Sequence, residues 1–134
     1  MTAKWTGGEQ FLAFDQAGHV VVTDSKGLGF KPPDLLLASL AGCAGVDIVS
    51  ILEKKRQEFS SIEVEVNMHN APEPPWTIEK IEISWTLRGR NLKEKAVRDA
   101  IRLSQEKYCS VIASLKSELV TSVQILNEDE EAEG

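Results

Sequence analysis

Residues 32–57 read PPDLLLASLAGCAGVDIVSILEKKRQ, and the reading of this apolar run decides the fold. It shows no alternation of apolar and polar residues, so it is not a half-buried strand, and Pro33 suits the first turn of a helix. The run therefore predicts a helix from Asp34 to Glu58, polar only from Glu53 onward and buried nearly all round. Between Leu35 and Leu52 it approaches the ~20 apolar residues that a membrane span needs, but Asp47 and two glycines interrupt it. A core helix is the expectation. Ala38, Ala41, Gly42 and Gly45 would let a second backbone approach closely, which places this helix at the centre, wrapped by a sheet or by a partner subunit.

The segments on either side are strand-like and then helical. Residues 4–24 alternate short apolar pieces with turn residues, and Asp15 to Gly18 has the composition of a hairpin turn, predicting a small N-terminal sheet. After the helix, Ile62, Val64, Val66 and Met68 alternate with Glu63, Glu65, Asn67 and His69, a strand with one wet face that carries His69. Following NAPEPPW, the residues Ile81, Ile83, Trp85 and Leu87 repeat the pattern. So short a connection makes the pair antiparallel. Asn91 and Glu94 have capping-box spacing, and Leu92, Ala96, Ala100, Ile101, Leu103 and Tyr108 follow at helical intervals. On the exposed side of that helix Glu94 with Arg98, and Lys95 with Asp99, are one turn apart. SVIASLKSEL predicts a short third helix and VTSVQIL a last strand. The class is α+β.

With 134 residues, 42% hydrophobic and 27% charged, the chain is expected to form one domain over 1–127, since domains of roughly 100–200 residues bury a sufficient core. The acidic end, 128–134, is expected to be a disordered tail. Fifteen basic against 21 acidic residues give a net charge of -6, which repels phosphate backbones; the basic run EKKRQ reads as the charged end of a helix, so no nucleic-acid partner is expected. The N-terminus lacks a secretory pattern, which points to the cytoplasm and away from a membrane. In that compartment two cysteines are more useful as reactive thiols than as a permanent bridge. His19 and His69 show no spacing with the cysteines that would suit a metal, and no bound cofactor is expected.

Those cysteines are Cys43, within LAGCAGVDIVSIL, and Cys109, within EKYCSVI. Cys109 stands between two helical segments, where free amides at the start of the third favour a thiolate. Cys43 in mid-helix has no such help from local sequence, and burial alone would raise its pKa. Asp47, one turn on, would raise it again if ionised and close. A carboxylate in so apolar a run needs a hydrogen-bond partner or a cation, and it is a candidate supporting residue for the site.

Residues 32–57 together with AIRLSQEKYCSVIASL, residues 100–115, resemble the osmotically inducible protein C (OsmC) family, relatives of the organic hydroperoxide resistance proteins, and the element order matches over nearly the whole chain. The resemblance implies an OsmC-like fold, an intertwined homodimer with an active site at the subunit interface, and reduction of organic hydroperoxides. By position it makes Cys43 the peroxidatic thiolate and Cys109 the resolving thiol, with an external lipoyl or thioredoxin-like dithiol as reductant. Asp34 matches the acid that, in hydroperoxidases of the family, holds an arginine against the reactive thiolate. Here the TGG turn runs into Glu9 rather than arginine, so another group must lower the Cys43 pKa, and Lys4, Lys31, Arg88 and Arg90 are candidates. Ser110 follows the second cysteine where many relatives carry proline. The other reading on this scaffold is a non-peroxidase dimer that binds a small apolar ligand or handles persulfide sulfur.

Overall fold

The computed structural model describes residues 1–128, so all but the first residue of the expected tail at 128–134 lies outside the described residues. The chain gathers into two compact units, Met1–Ala38 and the part from Ser39 onward. In the first, β1 (Thr2–Gly7), β2 (Gln10–Phe14) and β3 (Val20–Asp24) form an antiparallel sheet in the order β1-β2-β3. The predicted turn follows β2: the Asp15 carboxylate accepts the amides of Ala17 and His19 at 2.9 Å each, supplying a local substitute for ladder hydrogen bonds.

Helix α1 (Pro32–Lys54) is long and apolar enough to cross a membrane by length and composition. Leu40, Ala44, Ile48 and Leu52, four residues apart, are buried as a single stripe, and one face of a helix is what such spacing defines. Burial all round is not what the chain provides: Val46 is 69% exposed, because one sheet and its neighbouring helix cover only one side. The helix also stops at Lys54 instead of Glu58. Arg56 takes a left-handed φ of 55°, its amide bonds the Glu53 carbonyl and the Gln57 amide bonds that of Leu52. This Schellman closure satisfies the last carbonyls and frees Glu58 to start a strand.

The second unit holds β4 (Glu58–Asn70), β5 (Ile78–Arg90) and β6 (Glu118–Asn127) in the order β4-β5-β6, with β4 antiparallel and β6 parallel to the central β5. Inward residues of β5, namely Ile81, Ile83, Trp85 and Leu87, share one core with the α1 stripe, with Val97, Ala100 and Ile101, and with Cys109 and Ile112. Where β4 bulges between Phe59 and Ser61, it crosses Gly89 so closely that a Cβ there would collide with the Glu58 carbonyl.

Helix α2 (Glu94–Leu103) carries the expected Glu94–Arg98 and Lys95–Asp99 pairs, at 2.8 and 3.0 Å. The capping box does not form: Asn91 is left-handed and Lys93 is the cap residue, without a side-chain bond. Distant side chains serve the entering backbone instead. Asn127 Oδ1 accepts the Leu92 amide and Gln57 Oε1 accepts the Lys93 amide. After α2 the chain widens into a π-helical turn, Ser104–Tyr108, and α3 (Ser110–Ala113) is four residues long. Of the rest of the predicted third helix, residues 114–117 are a connecting segment and Glu118 and Leu119 already belong to β6.

Candidate functional site

Cys109 is 2% exposed and occupies the N-cap of α3, where its sulfur accepts the Ile112 amide at 3.5 Å. Its own amide donates to the Ser104 carbonyl at 2.8 Å, closing the π-helical turn. The turn carries Cys109 into the cluster against which Cys43 packs, and its thiol is the largest influence on the Cys43 pKa. Both cysteines are free.

Their acidities diverge. The Cys109 thiol, then the Val111 amide, and more weakly the Ser110 hydroxyl and amide, donate to Cys43 and outweigh burial, holding its pKa below the ordinary thiol value. Burial pushes the Cys109 thiol up, and the charge of a Cys43 thiolate opposes its ionisation further. The amides at the start of the third helix do act on Cys109 as local sequence predicts, through Ile112 and Val111, but burial outweighs them, and the expectation that Cys43 lacks such help is corrected. Ser110 and Val111 point at Cys43 from 67 and 68 positions along the chain, a contact that no local pattern encodes. Charge-assisted hydrogen bonds to a thiolate favour the charged form directly.

The leading influences that lower the Cys43 pKa are hydrogen bonds from Cys109, Val111 and Ser110 rather than a cation. Of the candidate cations, Lys4 lies 5.6 Å from the centre of the Phe14 ring, Lys31 lines an open groove of the first unit beside Val20, Phe30 and Asp34, and Arg90 pairs with Glu128 at 3.4 Å. Glu9 faces Lys26 at 3.8 Å on the surface. Asp34 sits in the first turn of α1, nine positions before Cys43, and is not among the leading influences on that thiol.

Nor is Asp47 among the leading influences on the Cys43 thiol. It is turned to Ser104, whose hydroxyl donates to its Oδ2 at 2.9 Å. Ser104, 1% exposed, is the residue that the sequence reading missed. A signal for it existed: it falls one turn after Ala100 and Ile101, on the face of α2 that is otherwise apolar. The arrangement is a thiol of lowered pKa beside a second thiol of raised pKa, packed among apolar side chains. It can attack an electrophilic oxygen or sulfur and close a disulfide.

Comparison with known proteins places this geometry. Residues 24–124 match the family model described as OsmC-like protein. Protein YhfA of Escherichia coli (strain K12) is 37% identical over 116 residues, covering 84% of this chain and 86% of that protein. A hypothetical protein from Aquifex aeolicus VF5 superposes with a TM-score of 0.88 at 33% identity, over 96% of each chain. An organic hydroperoxide resistance protein from Elizabethkingia anophelis superposes with a TM-score of 0.63 at 15% identity, over 95% of this chain and 94% of that one, a likeness of fold alone.

Proposed function

This chain belongs to the OsmC-like protein family, and from that premise we propose that it is a cysteine-based reductase of organic hydroperoxides, acting in oxidative stress defence. The observation that carries the reading is the contact of a Cys43 thiol of lowered pKa with a Cys109 thiol of raised pKa. The Cys43 thiolate attacks the distal oxygen of the hydroperoxide; the O–O bond breaks and the alcohol leaves with a proton, giving a sulfenic acid. Cys109 gives up its proton and attacks the Cys43 sulfur, forming the disulfide and releasing water. A lipoyl or thioredoxin-like dithiol returns two electrons by exchange. The apolar setting of both sulfurs favours an alkyl hydroperoxide over hydrogen peroxide. Hydrogen-bond donors from Cys109 to Val111 do here what an arginine does in the hydroperoxidases of the family.

The working form in this proposal is a cytoplasmic homodimer. Its support is the exposed flank of α1, where Ala41, Gly42, Gly45, Val46 and Val49 border an open apolar groove of about 570 Å³. The surface pairing of Glu9 with Lys26 keeps a second reading in view: a dimer whose cysteines handle persulfide sulfur or line a small apolar site. Intact mass after one equivalent of cumene hydroperoxide separates the two. The expected result is loss of two hydrogens, mapped to Cys43–Cys109, with peroxide consumed in step; the Cys43→Ser variant leaves the peroxide intact. An unchanged parent mass with peroxide remaining would sink the reductase reading.

A further inference from the structure

Two cross-links join the same two elements. Cys43 and Asp47 are one turn apart on α1 and face the same way. Ser104 and Cys109 stand at the two ends of the π-helical turn, tied by the Cys109 amide and Ser104 carbonyl at 2.8 Å. The first cross-link is the contact of Cys109 with Cys43; the second is the Ser104 hydroxyl on Asp47 Oδ2 at 2.9 Å. Ser104 is further fixed from below, its amide shared between the Ala100 and Ile101 carbonyls. A buried hydroxyl aimed at a carboxylate is costly to break, and it binds the foot of the turn to α1 one helical turn from the reacting sulfur.

We infer that Asp47 and Ser104 are positioning residues for the cysteine pair, anchoring the π-helical turn so that the Cys109 sulfur stays within reach of Cys43 when the disulfide closes. The need is geometric. The two thiols interact, but a disulfide requires about 2.05 Å and a narrow dihedral range, so the elements bearing them must hold alignment while the sulfurs close the remaining gap. Alignment of this kind appears as effective concentration. The inference takes the same cysteine pair as its site and so rests on the proposed function, but it concerns disulfide closure by any oxidant.

Glutathione provides a test without hydroperoxide. The Cys43 thiolate attacks glutathione disulfide, forming a mixed disulfide and releasing one glutathione thiol. Cys109 then attacks the Cys43 sulfur, the protein disulfide forms and the second glutathione leaves; two electrons and two protons have passed to glutathione. Each variant is equilibrated across a series of glutathione redox ratios, quenched in acid, and the Cys43–Cys109 fraction read by mass. Ser104→Ala and Asp47→Ala are expected to lower the effective concentration about tenfold, raising the midpoint by about 30 mV. Asp47→Asn keeps an acceptor oxygen for the Ser104 hydroxyl and is expected to return toward the parent value. Ser117→Ala loses a part-buried hydrogen bond to the Ile78 carbonyl, 2.6 Å, in the turn before β6, and is expected to leave the midpoint in place.

Parent-like midpoints in both alanine variants would overturn the inference, as would an Asp47→Asn midpoint no closer to the parent than that of Asp47→Ala, or a parent that forms no disulfide. If Ser104→Ala does not fold, the two Asp47 variants decide. A parent that closes its disulfide with glutathione yet spares cumene hydroperoxide would defeat the reductase reading while leaving the positioning role intact.

Discussion

Gly45 can decide whether the open flank of α1 is a surface or an interface, because the two cases predict opposite signs for one methyl group. Within the chain, a Cβ added at Gly45 meets nothing within 4 Å. If that face stays open, Gly45→Ala stabilises by about 1 kcal/mol through helix propensity alone. If a second copy's backbone lies against it, the methyl overpacks the contact at a cost of roughly 1–3 kcal/mol. A two-fold dimer contains the substitution twice, so the interface loses about 2–6 kcal/mol, and the dissociation constant rises by at least ~30-fold. The propensity gain is present in monomer and dimer alike and cancels from that ratio. Sedimentation equilibrium across a concentration series measures the constant, and thermal unfolding at low and high concentration gives the stability. We expect the parent to be a dimer and Gly45→Ala to shift toward monomer. A higher melting temperature with unchanged association, or a monomeric parent at micromolar concentration, would refute the reasoning.

Alkylation against pH follows from the hydrogen bonds that lower the Cys43 pKa and the burial that raises that of Cys109. The thiolate is the reactive species, so iodoacetamide is expected to modify Cys43 first as pH rises and Cys109 only at higher pH; simultaneous labelling, or Cys109 first, would contradict the site. Gly89→Ala is expected to destabilise by about 1–3 kcal/mol or more in urea, because the new Cβ meets the Glu58 carbonyl and lies 2.8 Å from the Phe59 Cα. An unchanged midpoint would mean that the β4 bulge does not cross there.

The sequence was most legible where a period is long and local. The alternation from Ile62 to Met68 and from Ile81 to Leu87, and the spacing of Leu40, Ala44, Ile48 and Leu52, specify strands and a helix by which residues must face one core. The parallel placement of β6 beside β5 was not legible, since pairing depends on a crossover rather than on either strand's own pattern. At the site, resemblance named the two cysteines, and local reasoning gave the amides at the start of the short helix to Cys109 alone. Ile112 does donate to Cys109, but burial outweighs that help, and the amides of Ser110 and Val111 also act on a sulfur of α1. The capping box failed for a related reason: Asn127 and Gln57, far away in sequence, reach the amides that Asn91 was expected to order. Asp47 and Ser104 were each visible as a polar residue on an apolar face. Two such residues in one small domain are natural partners, and pairing them was within reach of the sequence.

The π-helical turn at Ser104–Tyr108 sets a tolerance on chain length that composition does not reveal. Each residue removed from a helix rotates everything beyond it by about 100° and draws it back about 1.5 Å. A single deletion within α2, ahead of the turn, would by that rule swing the second cysteine away from the first, whereas one inside the turn would exchange its wide loop for an ordinary helical one that still closes on the Ser104 carbonyl. Within the turn itself, side chains such as Glu106 and Lys107, both exposed, can be exchanged freely as far as the site is concerned. Insertions and deletions ahead of the turn would therefore act directly on the joining of the two sulfurs.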